Sequence, residues 1–369
     1  MTFIFVFALA FLVSLLLTPL AVRLSARWEL LARPGGRRQH KGAVPKLGGL
    51  PVFGGFMAGG ALALVIWLWW LPPESANFTV EDLQLLTGVV LGSCVMFAGG
   101  LVDDRWELPP LALFLIQFVA FAVAMNYEVF IERFTNPLTL QEMVLLDPLI
   151  FLFTLLWIVG MVNTVNFLDG LDGLATGVGA IAAIMFALHG MELEQTLVAA
   201  FPLALAGALL GFLPFNFTPA RIFLGSAGAY FLGYGLATMS ILSPAKIATA
   251  LLVLAVPIMD VAWQIFDRLR RGQSPFRGDR GHLHFRLSDF GLPTRRIVIG
   301  YYVVAMAFGL IALLAPSPLT KLIMLLLLSA IVMSVMAWLT WRAGRRLHSR
   351  PHAPGPTVED EQGHHSHGG

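Results

Sequence analysis

Apolar residues in this chain fall into runs close to the ~20 residues needed to cross the hydrocarbon of a bilayer. The runs lie at roughly 2–24, 48–71, 84–102, 109–126, 146–163, 173–190, 196–215, 222–242, 247–266, 297–315 and 319–340. They recur evenly, and the gaps are too short for separate soluble domains. The expectation is an all-α polytopic membrane protein of about eleven transmembrane helices. One transmembrane domain would cover residues 1–340, followed by a disordered tail over 341–369. Gly and Pro inside the runs are tolerated where helices pack on one another. The first run begins at Thr2 without a basic leader or a convincing A-x-A site, so it reads as a retained helix rather than a signal peptide.

Composition supports this pattern. Hydrophobic residues make up 57% of 369 residues and charged residues only 12%, with a mean hydropathy of +0.77. A soluble domain would carry roughly a quarter charged residues. The single Cys94 lies within an apolar run, which excludes an internal disulfide and a cysteine metal site.

Charge then orients the chain. Alternate gaps and the C-terminal flank collect 21 of the 24 Lys and Arg residues; the opposite gaps hold only Arg133, Lys246 and Lys321. Those gaps carry acids instead, from Glu74 and Glu81 to Glu192 and Glu194. By the positive-inside rule the N-terminus is outside and the C-terminus inside. Every polar cluster of interest then falls on the cytoplasmic face, which suggests one cytoplasm-facing active site.

The first cluster is an adjacent carboxylate pair, Asp103 and Asp104, closing the apolar stretch LLTGVVLGSCVMFAGG. Ionisable groups at membrane depth are costly and mark functional sites by default. In NTVNFLDGLDG, Asn163 and Asn166 are three apart, as are Asp169 and Asp172, so each pair shares a face if the backbone is helical. Helix capping explains any one of them but not all four together. Carboxylates on one rim suit a hard cation such as Mg²⁺, which takes one or two carboxylates plus substrate phosphates. Basic loops flank them: Arg37, Arg38, His40, Lys41 and Lys46 in one, Arg280, His282 and His284 in another. Topology accounts for most of the arginines but not for the histidines. A phosphoryl donor from the cytosol meeting a lipid acceptor fits this arrangement.

Six segments in order, RRQHKGAVPKLGGLPVF, GLVDDRWEL, NTVNFLDGLDGL, NFTPARIFLGSAG, PIMD and SPFRGDRGHLHFRL, resemble the polyprenyl-phosphate N-acetylhexosamine-1-phosphate transferases. The resemblance runs from residue 1 to about 340 and favours the branch using UDP-N-acetylhexosamines. It implies an enzyme of the bacterial cytoplasmic membrane that begins a cell-envelope polysaccharide. A polyprenyl phosphate attacks a UDP-sugar, UMP leaves, and Mg²⁺ (Mn²⁺ as an alternative) is required. By the same resemblance, Asp103 and Asp104 are catalytic. Lys46, Asn163, Asn166, Asp172, His282 and His284 bind the nucleotide-sugar. Asp169, Asp172 and Asp104 hold the metal, with Ser226 as a possible neutral ligand. A small extracytoplasmic hairpin over about 127–145 and a homodimer are also implied, and no nucleic-acid partner.

The chain departs from that pattern at three positions. Ser226 stands where the family usually has a metal-binding Asp, Leu113 where it has Lys, and Phe285 where it often has His. Small neighbours, Gly225 and Gly228, are expected to leave room for a larger residue at 226. The departures keep open a degenerate paralogue that binds nucleotide or lipid phosphate without turnover. A transporter is the weaker alternative, because the polar residues sit at one rim rather than through the midplane. His364, His365 and His367 in the tail receive no catalytic role.

Overall fold

The computed structural model describes residues 1–32, 43–69, 79–242, 244–273, 281–315 and 317–348. Its long helices are α1 (Thr2–Arg27), α2 (Gly49–Trp69), α3 (Val80–Trp106), α4 (Pro110–Asn126), α5 (Asp147–Leu168), α6 (Leu174–Glu192), α7 (Thr196–Asn216) and α8 (Gly225–Ile241). They continue with α9 (Pro244–Val253), α10 (Ala255–Arg270), a short α11 (Leu283–Asp289), α12 (Thr294–Leu314) and α13 (Pro318–His348). Each expected apolar run is therefore helical. Among the described residues, however, only eight helices are long and apolar enough to cross a membrane, or nine if the bent pair α9–α10 is one span. The helices α4 and α8 fall short at 17 residues each. The α9–α10 run turns by 76° just before Pro257, whose missing N–H is tolerated only in a first helical turn.

The helices end where local chemistry says they should. Thr79 accepts the Asp82 N–H while Asp82 accepts that of Thr79, a capping box that starts α3. Pro110 and Pro148 open α4 and α5 at positions whose N–H would be unpaired anyway. Two small antiparallel sheets qualify the all-α expectation. Strands β1 (Leu31–Ala32) and β2 (Val44–Pro45) pair after α1, and β3 (Arg133–Thr135) pairs with β4 (Glu142–Val144) in the anticipated hairpin.

Helix α8 lies in the middle of the bundle, buried from Ala227 to Ser240 and packed on α3 and α5. Helices α1, α2 and α7 form a second tight group. At Gly59 a Cβ would come within 2.8 Å of the Ala204 methyl and 2.9 Å of that of Ala10. Close backbone approach through small residues is how membrane helices associate without a hydrophobic driving force between them. The expected tail, apart from the end of α13, lies outside the described residues, as do Arg37, Arg38, His40, Lys41 and Arg280.

Candidate active site

The two aspartates at the end of α3 face different neighbours. Asp104 is 7% exposed; its Oδ1 accepts the Ser226 N–H and its Oδ2 the Ala227 N–H, each at 3.0 Å. The first N–H groups of a helix have no partner within it and carry the positive end of its dipole. The start of α8 is thus anchored on a carboxylate from α3. Two glycines make the contact possible. Gly225 has φ +75°, and a Cβ there would strike the Lys46 carbonyl oxygen and come within 2.8 Å of Asp104 Oδ2. At Gly100, one turn before Asp104, a Cβ would lie 2.6 Å from the Ala227 nitrogen. Asp103 instead accepts the Leu108 N–H (2.9 Å) and the Tyr230 hydroxyl (3.1 Å), tying the end of α3 to the following turn and to α8.

Helix α5 runs on to Leu168, so Asn163 and Asn166 are helical but Asp169 and Asp172 are not. The shared-face condition therefore fails for the two aspartates. Asp169 caps α5. Asp172 sits in the turn before α6, where its Oδ2 accepts the Ala220 N–H (2.9 Å) and the Thr218 hydroxyl (3.2 Å). Asn163 donates to Gln117 Oε1 (2.9 Å) and to the Val159 carbonyl (2.8 Å), joining α5 to α4. Asn216, at the end of α7, accepts from Thr176 (2.7 Å) and donates to the Ile222 carbonyl (3.0 Å), fixing the loop that leads to α8.

The histidines arrive from the start of α11. His282 Nδ1 lies 3.2 Å from Asp260 Oδ2, and the Leu283 N–H donates to Asp260 Oδ1 at 2.9 Å. The His282 ring stacks between Phe167 (5.0 Å between centroids) and His284 (5.7 Å). His284 is 1% exposed. Its ring fills the space that a side chain at Gly170 would need, 2.5 Å from the position of a Cβ there. Among the described residues His282 Nε2 is buried without a protein partner, a state that costs roughly 1–3 kcal/mol unless a bound group satisfies it.

These segments enclose a cavity of about 390 Å³ whose wall includes Lys46, Asp104, Asn166, Asp169, Asp172, Ser226 and His282. Asp103, Asn163 and His284 stand behind that wall rather than in it. Lys46 is 8% exposed and is held by its own N–H, which donates to Ser25 Oγ (3.1 Å) and to the Leu30 carbonyl (3.0 Å). Leu113 packs on the apolar core, and Phe285 lines the cavity beside His284. The glycines around Ser226 do not provide spare room, since Lys46, Asp104 and Gly49 occupy the space beside them. What room exists at 226 belongs to the cavity.

Among the described residues no three His, Cys, Asp or Glu side chains converge to form a complete metal site. The oxygen-rich wall nonetheless fits Mg²⁺, which keeps waters and leans on substrate phosphates. Among the described residues Asp172 Oδ1 makes no hydrogen bond, and each Asp104 oxygen, engaged once there, retains a second lone pair. Sequence reasoning gave no role to Asp260 or Asn216, although the segments PIMD and NFTPARIFLGSAG contain them, and it passed over Tyr230. The signal for Asp260 was available: a carboxylate within the apolar stretch LLVLAVPIMDVAW.

The sequence model of glycosyl transferase family 4 matches residues 86–244. Over 318 residues the protein is 30% identical to the probable undecaprenyl-phosphate N-acetylglucosaminyl 1-phosphate transferase of Bacillus subtilis (strain 168), covering 84% of each chain. It is 33% identical over 316 residues to the decaprenyl-phosphate N-acetylglucosaminephosphotransferase of Mycobacterium tuberculosis (strain ATCC 25618 / H37Rv), covering 78% of this chain and 76% of that one. The undecaprenyl-phosphate alpha-N-acetylglucosaminyl 1-phosphate transferase of Pasteurella multocida (strain Pm70) is 28% identical over 302 residues, 78% of each chain. Asp104, Asn166, Asp169, Asp172 and Ser226 all fall within the matched segment of a family to which the relatives' names and coverage are equally specific, and the chain belongs to the polyprenyl-phosphate N-acetylhexosamine-1-phosphate transferases of glycosyl transferase family 4.

Proposed function

We propose that this chain transfers N-acetylhexosamine 1-phosphate from a UDP-sugar to a polyprenyl phosphate, as the first membrane step of a cell-envelope polysaccharide. The observation that carries this reading is the cavity, where a buried lysine, three carboxylates and a histidine meet at the ends of apolar helices. A water-soluble nucleotide and a lipid headgroup can meet there. An oxygen of the lipid phosphate attacks the phosphorus that bears the sugar. The bond from that phosphorus to the bridging oxygen breaks, and UMP departs with the oxygen. Both reactants are anionic, so catalysis rests on charge neutralisation and alignment. Lys46 supplies a fixed positive charge. Asp104 is the member of the aspartate pair that faces the cavity, and it takes the lipid phosphate's proton when that group arrives protonated. Asn166 and His282 orient the nucleotide-sugar.

In this reading Asp169 and Asp172 hold Mg²⁺ or Mn²⁺, with Asp104 and the Ser226 hydroxyl close by. When bound, the ion neutralises phosphate charge. A carboxylate in place of Ser226 would add a charged ligand, so Ser226→Asp should lower the Mg²⁺ concentration for half-maximal turnover. The deciding experiment is UMP release from UDP-GlcNAc with and without polyprenyl phosphate, titrated with Mg²⁺. Release that depends on the lipid supports the transferase. No release at any Mg²⁺ concentration, with nucleotide still bound, favours the degenerate paralogue.

We further propose that α4, α8 and the bent α9–α10 pair count as membrane segments. That gives eleven segments, an outside N-terminus and a cytoplasmic cavity. The basic residues support this orientation, and the bacterial relatives favour a bacterial inner membrane. A homodimer is the assembly proposed, to be checked by light scattering of the detergent-solubilised protein.

A further inference from the structure

We propose that Asp260 is a positioning residue for the transfer, acting through His282; the inference rests on the transferase reading above. Asp260 is 3% exposed, and His282 is likewise 3% exposed. Their contact therefore lies where water does not compete for it. A carboxylate only accepts hydrogen bonds. The 3.2 Å approach of Asp260 Oδ2 thus requires the proton of His282 on Nδ1. Any gain or loss of a proton during turnover is then confined to Nε2. That nitrogen is buried without a partner among the described residues, and His282 forms part of the cavity wall. Of the two nitrogens, only Nε2 remains for a bound nucleotide-sugar.

The other Asp260 oxygen makes the arrangement testable by an isosteric change. Oδ1 accepts the Leu283 N–H at 2.9 Å. In Asp260→Asn only the amide oxygen can satisfy that N–H, so the amide NH₂ must face His282 Nδ1. Nδ1 becomes an acceptor, and the neutral ring must carry its proton on Nε2. The backbone anchor of α11 survives, but the ring presents the wrong tautomer to the cavity. The same logic makes an Asp→Asn change costly in the serine-protease triad, a general precedent for the chemistry. The surroundings oppose an adjustment of the ring by flipping. Phe167 and His284 stack on it, and the Gln264 amide and Arg286 Nε both donate to the Gly281 carbonyl, which holds the residue before it.

The experiment is a double-mutant cycle on the full chain in detergent or nanodiscs, with Asp260→Asn, His282→Asn and the pair. It reads UMP release as kcat and KM for UDP-GlcNAc, nucleotide binding by calorimetry, and the thermal midpoint. Asp260→Asn should lower kcat about a hundredfold, the scale of a misdirected acid–base group, with little change in thermal midpoint. His282→Asn should do at least as much, and the double variant should be no worse than His282→Asn alone, the non-additivity expected of residues acting as a unit. Multiplying losses, or a large fall in thermal midpoint with kcat intact, would show that Asp260 only holds the loop and would overturn the proposal. Normal turnover in Asp260→Asn overturns it while leaving the transferase reading in place. A wild type that binds UDP-GlcNAc without turnover removes the transferase reading alone. The positioning role is then judged on binding, which both single variants should weaken equally and the pair no further. A wild type that neither turns over nor binds UDP-GlcNAc overturns both.

Discussion

At the level of single residues, side chains that look alike in the sequence have been given different tasks. Asp104 lines the cavity, whereas Asp103 does not line it and its oxygens accept from Leu108 and Tyr230. Asp104→Asn should therefore lower UMP release about a hundredfold or more, and Asp103→Asn should cost less turnover and more stability. Equal loss of turnover in both, with thermal midpoints unchanged, would return Asp103 to the chemistry. The two asparagines differ in the same way. Asn163 bonds Gln117 and Val159 within the helix layer, while Asn166 lines the cavity. Asn163→Ala should destabilise by about 0.6 kcal/mol, the average for such interhelical bonds, and leave the KM for UDP-GlcNAc alone. Asn166→Ala should raise that KM. A raised KM in Asn163→Ala would mean that the nucleotide reaches behind the present wall.

At the level of elements, the site depends on how closely α8 approaches α3. Gly100 and Gly225 have no Cβ at the points where backbone meets backbone. Gly100→Val would push α3 away from Ala227 and pull Asp104 off the two N–H groups. Overpacking of this kind costs about 1–3 kcal/mol, and turnover should fall with it. Gly225→Ala adds a left-handed conformation, which costs an L-residue roughly 1–2 kcal/mol, to a collision with the Lys46 carbonyl. Thermal melting alongside UMP release checks both variants; wild-type values for either would mean that the α3–α8 contact is looser than these distances require.

At the level of the whole molecule, the cavity collects residues from widely separated stretches of chain, from Lys46 to Thr294. All of them should face the cytosol. The hairpin carrying Glu142 should then lie outside and Arg105 inside. In a Cys94→Ala background, Glu142→Cys should react with an impermeant maleimide on intact cells, and Arg105→Cys should react only after lysis. Labelling of Arg105→Cys from outside would reverse the placement of the entire site.

The sequence by itself determined the helical runs and marked the polar segments at their ends, while the hairpin followed from the family resemblance. Those features are local: a run of apolar residues, a capping proline or a carboxylate at the end of an apolar stretch means the same wherever it folds. Asp169 and Asp172 line one cavity with Lys46 and His282. Only the tertiary structure decided which of Asp103 and Asp104, and which of Asn163 and Asn166, faces it. That choice depends on which N–H groups, hydroxyls and amides approach from distant elements, as Ser226 and Tyr230 approach the two aspartates of α3. It also brought Asp260 to His282, two residues whose relation no periodicity records. The contact forms where α10 meets the start of α11, and the buried carboxylate takes the Leu283 N–H and faces His282 Nδ1, groups 23 and 22 residues further along the chain.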